Sequence, residues 1–152
     1  MTIGTLLQLK KFFIEFEPAA DKSLLHVMTE DWEKITKFIS GSKQLHAGVE
    51  NALEDAYRII SKLCSTDISV QAFRSGMAEW IDGYIGDKIV FAQEEMVRQG
   101  IKLLSKSKKD HIMVIGLNVV LEKLFVKAHA DGIDFSVIVV DTSPRFLGRE
   151  LV

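Results

Sequence analysis

The densest chemistry in the chain lies near its end, at Asp141-Thr142-Ser143-Pro144-Arg145-Phe146-Leu147-Gly148-Arg149. A carboxylate, two hydroxyls and two guanidiniums stand close together there. Such a set suits a phosphate or carboxylate ligand, because a guanidinium holds either through parallel hydrogen bonds. The same residues have a plainer use: Asp141 and Thr142 can cap a turn while the arginines stand in solvent or at an interface. A second candidate is Gly116-Leu117-Asn118, between an apolar run and a helical one. Backbone amides at a helix N-terminus attract anions. The turn has one glycine and no GxGxxG pattern, so an ordinary strand-to-helix turn also accounts for it. The ligand candidates are therefore Gly116, Asn118, Asp141, Ser143, Arg145 and Arg149.

The remaining reactive residue types are dispersed. Cys64 is the sole cysteine and has no neighbouring base pattern, so it reads as a half-buried structural thiol. It can form neither an internal disulfide nor a multi-cysteine zinc site, which points to a reducing compartment. His26, His46, His111 and His129 are too far apart in sequence for metal-ligand spacing. Glu54-Asp55 and Glu94-Glu95 diverge on a helix and read as solvated. No catalytic residue, metal or cofactor is expected from these patterns. Trp32, Phe12, Phe16, Phe38 and Phe73 recur at helical spacing and read as core rather than as base-stacking platforms. The basic run Lys106 to Lys109 is too short to engage nucleic acid alone.

Helices must position most of these residues. Ile3, Leu6, Leu7, Phe13 and Ile14 mark a first amphipathic segment ending before Pro18. Leu24, Leu25, Met28, Trp32, Ile35, Phe38 and Ile39 mark a second, with Asp21 as the expected N-cap and Gly41-Ser42 as its close. Leu45, Val49, Ala52, Leu53, Ala56, Ile60 and Leu63 mark a third. From about Asp67 to Ser105 the phase predicts one long helix or two with a kink. Gly76, Gly83 and Gly86 either weaken that helix or let another come close.

The polar run Lys106-Ser107-Lys108-Lys109-Asp110 then separates a helical unit, 1–106, from a different pattern in 107–152. His111 to Gly116 and Phe135 to Val140 are short apolar runs rich in β-branched residues. The helical stretch Asn118 to Asp131, closed by Gly132, joins them. This is one βαβ unit with parallel strands and a right-handed crossover. Two such strands make only the start of a doubly covered sheet, so the chain is expected to stop inside a larger α/β domain. An apolar sheet edge after Val140 would then be open to self-association or to a partner.

The chain has 152 residues, 47% hydrophobic and 26% charged, with a formal net charge of −2. That balance excludes a disordered chain, a collagen-like repeat and a basic nucleic-acid tail. No apolar run approaches the roughly 18 residues a bilayer span needs, and Lys10, Lys11 and Glu15 interrupt the start. The expectation is a cytoplasmic protein with no membrane partner and no direct nucleic-acid contact.

Several stretches carry a family resemblance. They are Trp80-Ile81-Asp82-Gly83-Tyr84-Ile85-Gly86-Asp87-Lys88-Ile89-Val90-Phe91-Ala92, the run His111 to Gly116, and Phe135 to Pro144 with Gly148-Arg149. Together they resemble the regulatory-subunit family of eukaryotic translation initiation factor 2B. That family also includes methylthioribose-1-phosphate and ribose-1,5-bisphosphate isomerases. Phe13-Ile14-Glu15-Phe16-Glu17-Pro18 and the spacing from Ile81 to Ala92 are most similar to the delta subunit. The resemblance implies a helical N-terminal domain followed by a Rossmann-like domain, cut after its second strand. It implies a non-catalytic subunit of the guanine-nucleotide exchange factor for initiation factor 2. The expected partners are other subunits of that complex and the phosphorylated alpha subunit of initiation factor 2. Trp32, Lys37, Phe38 and Lys43 are the candidate contact residues.

The chain departs from the family pattern in three places. The usual Asp-Ser-Arg-Pro is here Asp141-Thr142-Ser143-Pro144, which removes a guanidinium at Ser143. A Pro-Leu-Ser turn before the third helix is replaced by Gly41-Ser42-Lys43-Gln44. The isomerases' cysteine after the first strand is absent from Gly116-Leu117-Asn118, and their catalytic aspartate would fall beyond Val152. The alternative reading, a sugar-phosphate-binding or isomerase-related member, must therefore do without that nucleophile.

Overall fold

The structure is a computed structural model that describes residues 2–18, 23–41, 45–104, 110–144 and 146–151. Its helices are α1 (Thr2–Glu15), α2 (Leu24–Ser40), α3 (Ala47–Cys64), α4 (Val70–Tyr84), α5 (Ala92–Leu104) and α6 (Val119–Ala130). A π-helical segment, Ile85–Phe91, joins α4 to α5. Strands β1 (Asp110–Ile115) and β2 (Phe135–Val140) flank α6, and a 3-10 turn, Leu147–Leu151, follows β2. Mostly helical sequence thus gives way to two parallel strands with a helix between them, as the periodicity predicts.

Contacts divide the chain into two compact units, Met1–Gly86 and Asp87–Val152. The polar run 106–109, which suggests a boundary in the sequence, lies outside the described residues.

The first unit is built on one aromatic core. Phe13 and Phe73 have no exposed surface, and their rings meet edge to face at 6.0 Å. Phe16 approaches Phe73 at 6.2 Å, and Phe13 stacks on Trp32 at 6.3 Å. Such pairs add about 0.5–1.5 kcal/mol beyond the area they bury. Leu6 and Leu9 of α1, Met28 of α2, Ala56 and Ile60 of α3, and Met77 and Ile81 of α4 fill the rest. Two polar ties fix α1 on α4. Lys10 pairs with Asp82 at 2.6 Å, and the Arg74 Nε donates to the Phe16 carbonyl at 2.9 Å. A Cβ on Gly76 would stand 3.3 Å from Leu63 on α3, so this glycine does sit where helices come close.

Two expectations change in this unit. The N-cap of α2 is Ser23, whose side chain accepts from the His26 amide at 3.3 Å. Asp21 lies outside the described residues. Phe38, read from its phase as core, is 88% exposed. The stripe that packs is narrower than the stripe that is apolar: Val27, Met28 and Trp32 are buried, and Leu25 and Phe38 flank them outside.

The second unit pairs β1 with β2 in parallel, from Asp110 opposite Phe135 to Ile115 opposite Val140. Asn118 starts α6 by accepting from the Val120 and Leu121 amides at 2.9 and 3.4 Å. Gly132, at φ +74°, follows its last turn, a conformation that suits glycine. Phe125 of α6 lies against Phe135 of β2, ring centroids 5.6 Å apart. Helix α5 packs on α6 closely enough that a Cβ on Gly100 would come within 2.8 Å of Leu124. On the sheet, Val114 is buried, whereas Met113, Ile115, Ile138 and Val140 are exposed and share the opposite face.

Candidate functional site

The carboxyl ends of β1 and β2 hold the first candidate site, the position where open α/β sheets bind ligands. Gly116 leaves β1 at φ +66°, and its amide donates to the Val140 carbonyl at 2.9 Å. This bond ties the end of one strand to the end of the other. Past Val140, the chain turns through a cis Ser143–Pro144 peptide, and the Phe146 amide donates to the Thr142 carbonyl at 2.9 Å. A recess of about 350 Å³ results, lined by Ile115, Gly116, Leu117, Thr142, Ser143, Pro144 and Leu147. Of the sequence candidates, Gly116 and Ser143 meet in it.

Asp141 is used differently. Its Oδ1 accepts from the Thr142 and Gly148 amides at 3.0 Å each, and its Oδ2 from the Arg149 Nε at 3.2 Å. The Arg149 guanidinium also lies over the Phe146 ring, 5.1 Å from its centroid. A Cβ on Gly148 would meet both Asp141 Oδ1 and Val139 Cγ1 at 2.9 Å, so any larger residue at this buried position would force those side chains to shift. Of the two uses the sequence leaves open for Asp141, the observed one is structural: it folds its own loop. Asn118 likewise spends its side chain on the amides of α6, the groups an anion would otherwise meet. Arg145 lies outside the described residues. Thr142, expected only as a turn cap or one of two hydroxyls near an anion, and Leu147 also line the recess. A hydroxyl following a strand-end aspartate was the available signal for Thr142, and Leu147 offered none.

Among the described contact candidates of the helical unit, Trp32 and Phe38 line separate grooves. Trp32 is 6% exposed and stacked between Phe13 and Tyr57. It edges a groove of about 320 Å³ shared with Thr29, Glu33, Thr36, Leu53, Glu54 and Tyr57. Phe38 belongs to a separate groove between α1 and α2, of about the same volume, with Leu9, Phe12, Ile35 and Ile39. Lys37 is exposed in the last turn of α2, and Lys43 lies outside the described residues.

Elsewhere, burial and pairing shift individual titratable groups. Burial pushes the half-buried Cys64 thiol up, away from the nucleophilic thiolate. Hydrogen bonds from Arg98 and Gln99 hold the Glu95 carboxyl down at about 2. Among the described residues, no three His, Cys, Asp or Glu side chains cluster to hold a metal. No described helix is long and apolar enough to cross a membrane.

Comparison with known proteins accords with this architecture. Solved structures that share the fold include two from the same fungus. One is a chain of the tetrameric eIF2B-beta2-delta2 complex from C. thermophilum, with a TM-score of 0.88 and 22% identity, covering 99% of this chain and 47% of that one. The other is eIF2B delta from Chaetomium thermophilum, with a TM-score of 0.87 and 22% identity, covering 99% and 54%. The chain thus spans about half the length of the solved chains it matches. At the level of sequence, residues 1–152 match the model of the initiation factor 2 subunit family, IF-2B, and the chain belongs to that family.

Proposed function

We propose that this chain is a delta-like, non-catalytic regulatory subunit of the exchange factor for initiation factor 2. It binds other subunits of that complex and helps to sense the phosphorylated alpha subunit of initiation factor 2 in the cytoplasm. The observation that carries the reading is the state of the strand-end recess. Its turn, Gly116-Leu117-Asn118, lacks the cysteine that the related isomerases use there, and the Asp141 carboxylate beside it is committed to two amides and a guanidinium. Acid–base or covalent chemistry needs a group free to reach a substrate. The likeness to eIF2B delta, whose fold this chain shares over 99% of its length, supports the same reading. In the helical unit, Phe38 and Lys37 present an accessible contact surface, and Trp32 lines a separate groove.

The test is equilibrium binding of the 152-residue chain to the alpha subunit of initiation factor 2, phosphorylated and unphosphorylated. Preference for the phosphorylated form is expected, and Phe38→Ala should weaken it. Equal binding to both forms would remove the sensing role.

One observation favours a second reading, a sugar-phosphate-binding member. Gly116, Thr142 and Ser143 give the recess a polar wall. A thermal-shift series with sugar phosphates separates the two, since a ligand that binds the folded chain raises its melting temperature by mass action. No shift is expected if the chain is purely regulatory.

A further inference from the structure

The connection from α4 to α5 is helical throughout, yet four independent features weaken it at one place. The hydrogen-bond register changes there: the Ile85 amide is shared between the Ile81 and Asp82 carbonyls, and Ile85–Phe91 continues as π-helix. A π segment is rare, and such segments concentrate at functional sites. No side chain of this segment is buried, whereas Ile81 before it has no exposed surface and Val97 after it is 6% exposed. Val90 and Phe91 stand 40% and 64% exposed. The division between the chain's two compact units, at Gly86 and Asp87, falls inside the same stretch.

The glycines supply the fourth feature. Gly76 and Gly100 have a packing reason, since a Cβ at either would press on a leucine of a neighbouring helix. Gly83 and Gly86 have none: nothing lies within 4 Å of where their Cβ atoms would be, and neither has a positive φ. Their remaining physical effect is to make the helix easier to open, since glycine costs helix stability through backbone entropy.

We propose that Gly83–Phe91 is a built-in hinge, a stretch of helix that opens and bends while α4 up to Asp82 and all of α5 stay intact. Low local stability with no buried apolar contact is what a yielding segment requires. The inference concerns the backbone of one helix and does not depend on which subunit role the chain plays.

Amide hydrogen exchange on the 152-residue chain tests it. Amides of 86–91 should exchange faster than those of Met77–Ile81 and of 97–101. Gly83→Ala and Gly86→Ala should each slow that exchange about fivefold, and together about 30-fold, the change that a helix glycine's handicap against alanine converts to. Gly4→Ala in α1, equally free of neighbours, should leave it untouched. Spin labels at Glu79→Cys and Glu94→Cys, in a Cys64→Ser background, should give a broad distance distribution that narrows in the double alanine variant. Uniform protection across 77–101, a single narrow distance in the parent, or no response to either alanine would overturn the hinge.

Discussion

Asp141 shows how one residue's chemistry is decided by its neighbours. From sequence it could serve a ligand or a turn, and both uses need the same carboxylate. The structure assigns it two backbone amides and a guanidinium. Asp141→Ala should therefore act on stability: the Gly148 amide loses its acceptor at a buried position, at a cost of about 1–3 kcal/mol. Urea unfolding should show a lower midpoint with unchanged slope. Gly148→Ala should cost as much or more, because its Cβ would stand 2.9 Å from two neighbours. Glu95 gives a pH test of the same kind. Its carboxyl, held by Arg98 and Gln99, titrates at about 2 against an ordinary 4.5. A depressed folded value means that its contribution to stability is complete above the ordinary value and is lost as pH falls through about 2. Proton-coupled carboxyl shifts should place the midpoint there, and Arg98→Ala should return it toward the ordinary range.

At the scale of elements, the sequence was legible wherever one period ran without interruption. The helices α1, α2, α3 and α6 and both strands stand close to where their apolar spacing puts them. Gly41 and Gly132 close helices as glycine's freedom at positive φ predicts. Three things were not legible. The cap of α2 could be Asp21 or Ser23, since both residue types accept amide hydrogen bonds. The π register of 85–91 shifts the side-chain phase, so that Val97 is buried while Met96 is 52% exposed, and the apolar pattern before it does not announce the shift. The fate of Phe38 is set by which part of α2's apolar stripe the neighbouring helices cover, which is a tertiary fact. The caps themselves are testable. Ser69 starts α4 by accepting from the Ala72 amide at 3.1 Å. Ser69→Ala should cost about 1 kcal/mol and Ser69→Asp little, measured as shifts in denaturation midpoint.

At the scale of the whole molecule, the decisive feature is a sheet with one apolar face uncovered. Met113 and Ile138 are paired across the strands, as are Ile115 and Val140. They are 69%, 56%, 72% and 41% exposed respectively. A parallel strand pair normally lies inside a sheet covered on both faces, because successive crossovers lay helices over each. Here α6 meets one face through Phe125 and Phe135, and the exposed four residues form the other. A contiguous apolar surface of this kind promotes association, and among the described residues no third strand pairs with the outer edges of the two strands. The 152-residue chain alone should therefore self-associate. Light scattering over a concentration series should show a mass rising above 17.1 kDa. Met113→Lys with Ile138→Lys should return it to the monomer value without loss of helical signal, since both side chains already face outward. A constant monomer mass at high concentration would mean that these four side chains are tolerated in water. The same double variant separates this face from the helical unit: binding that depends on Phe38 should survive it, and binding through the sheet should not.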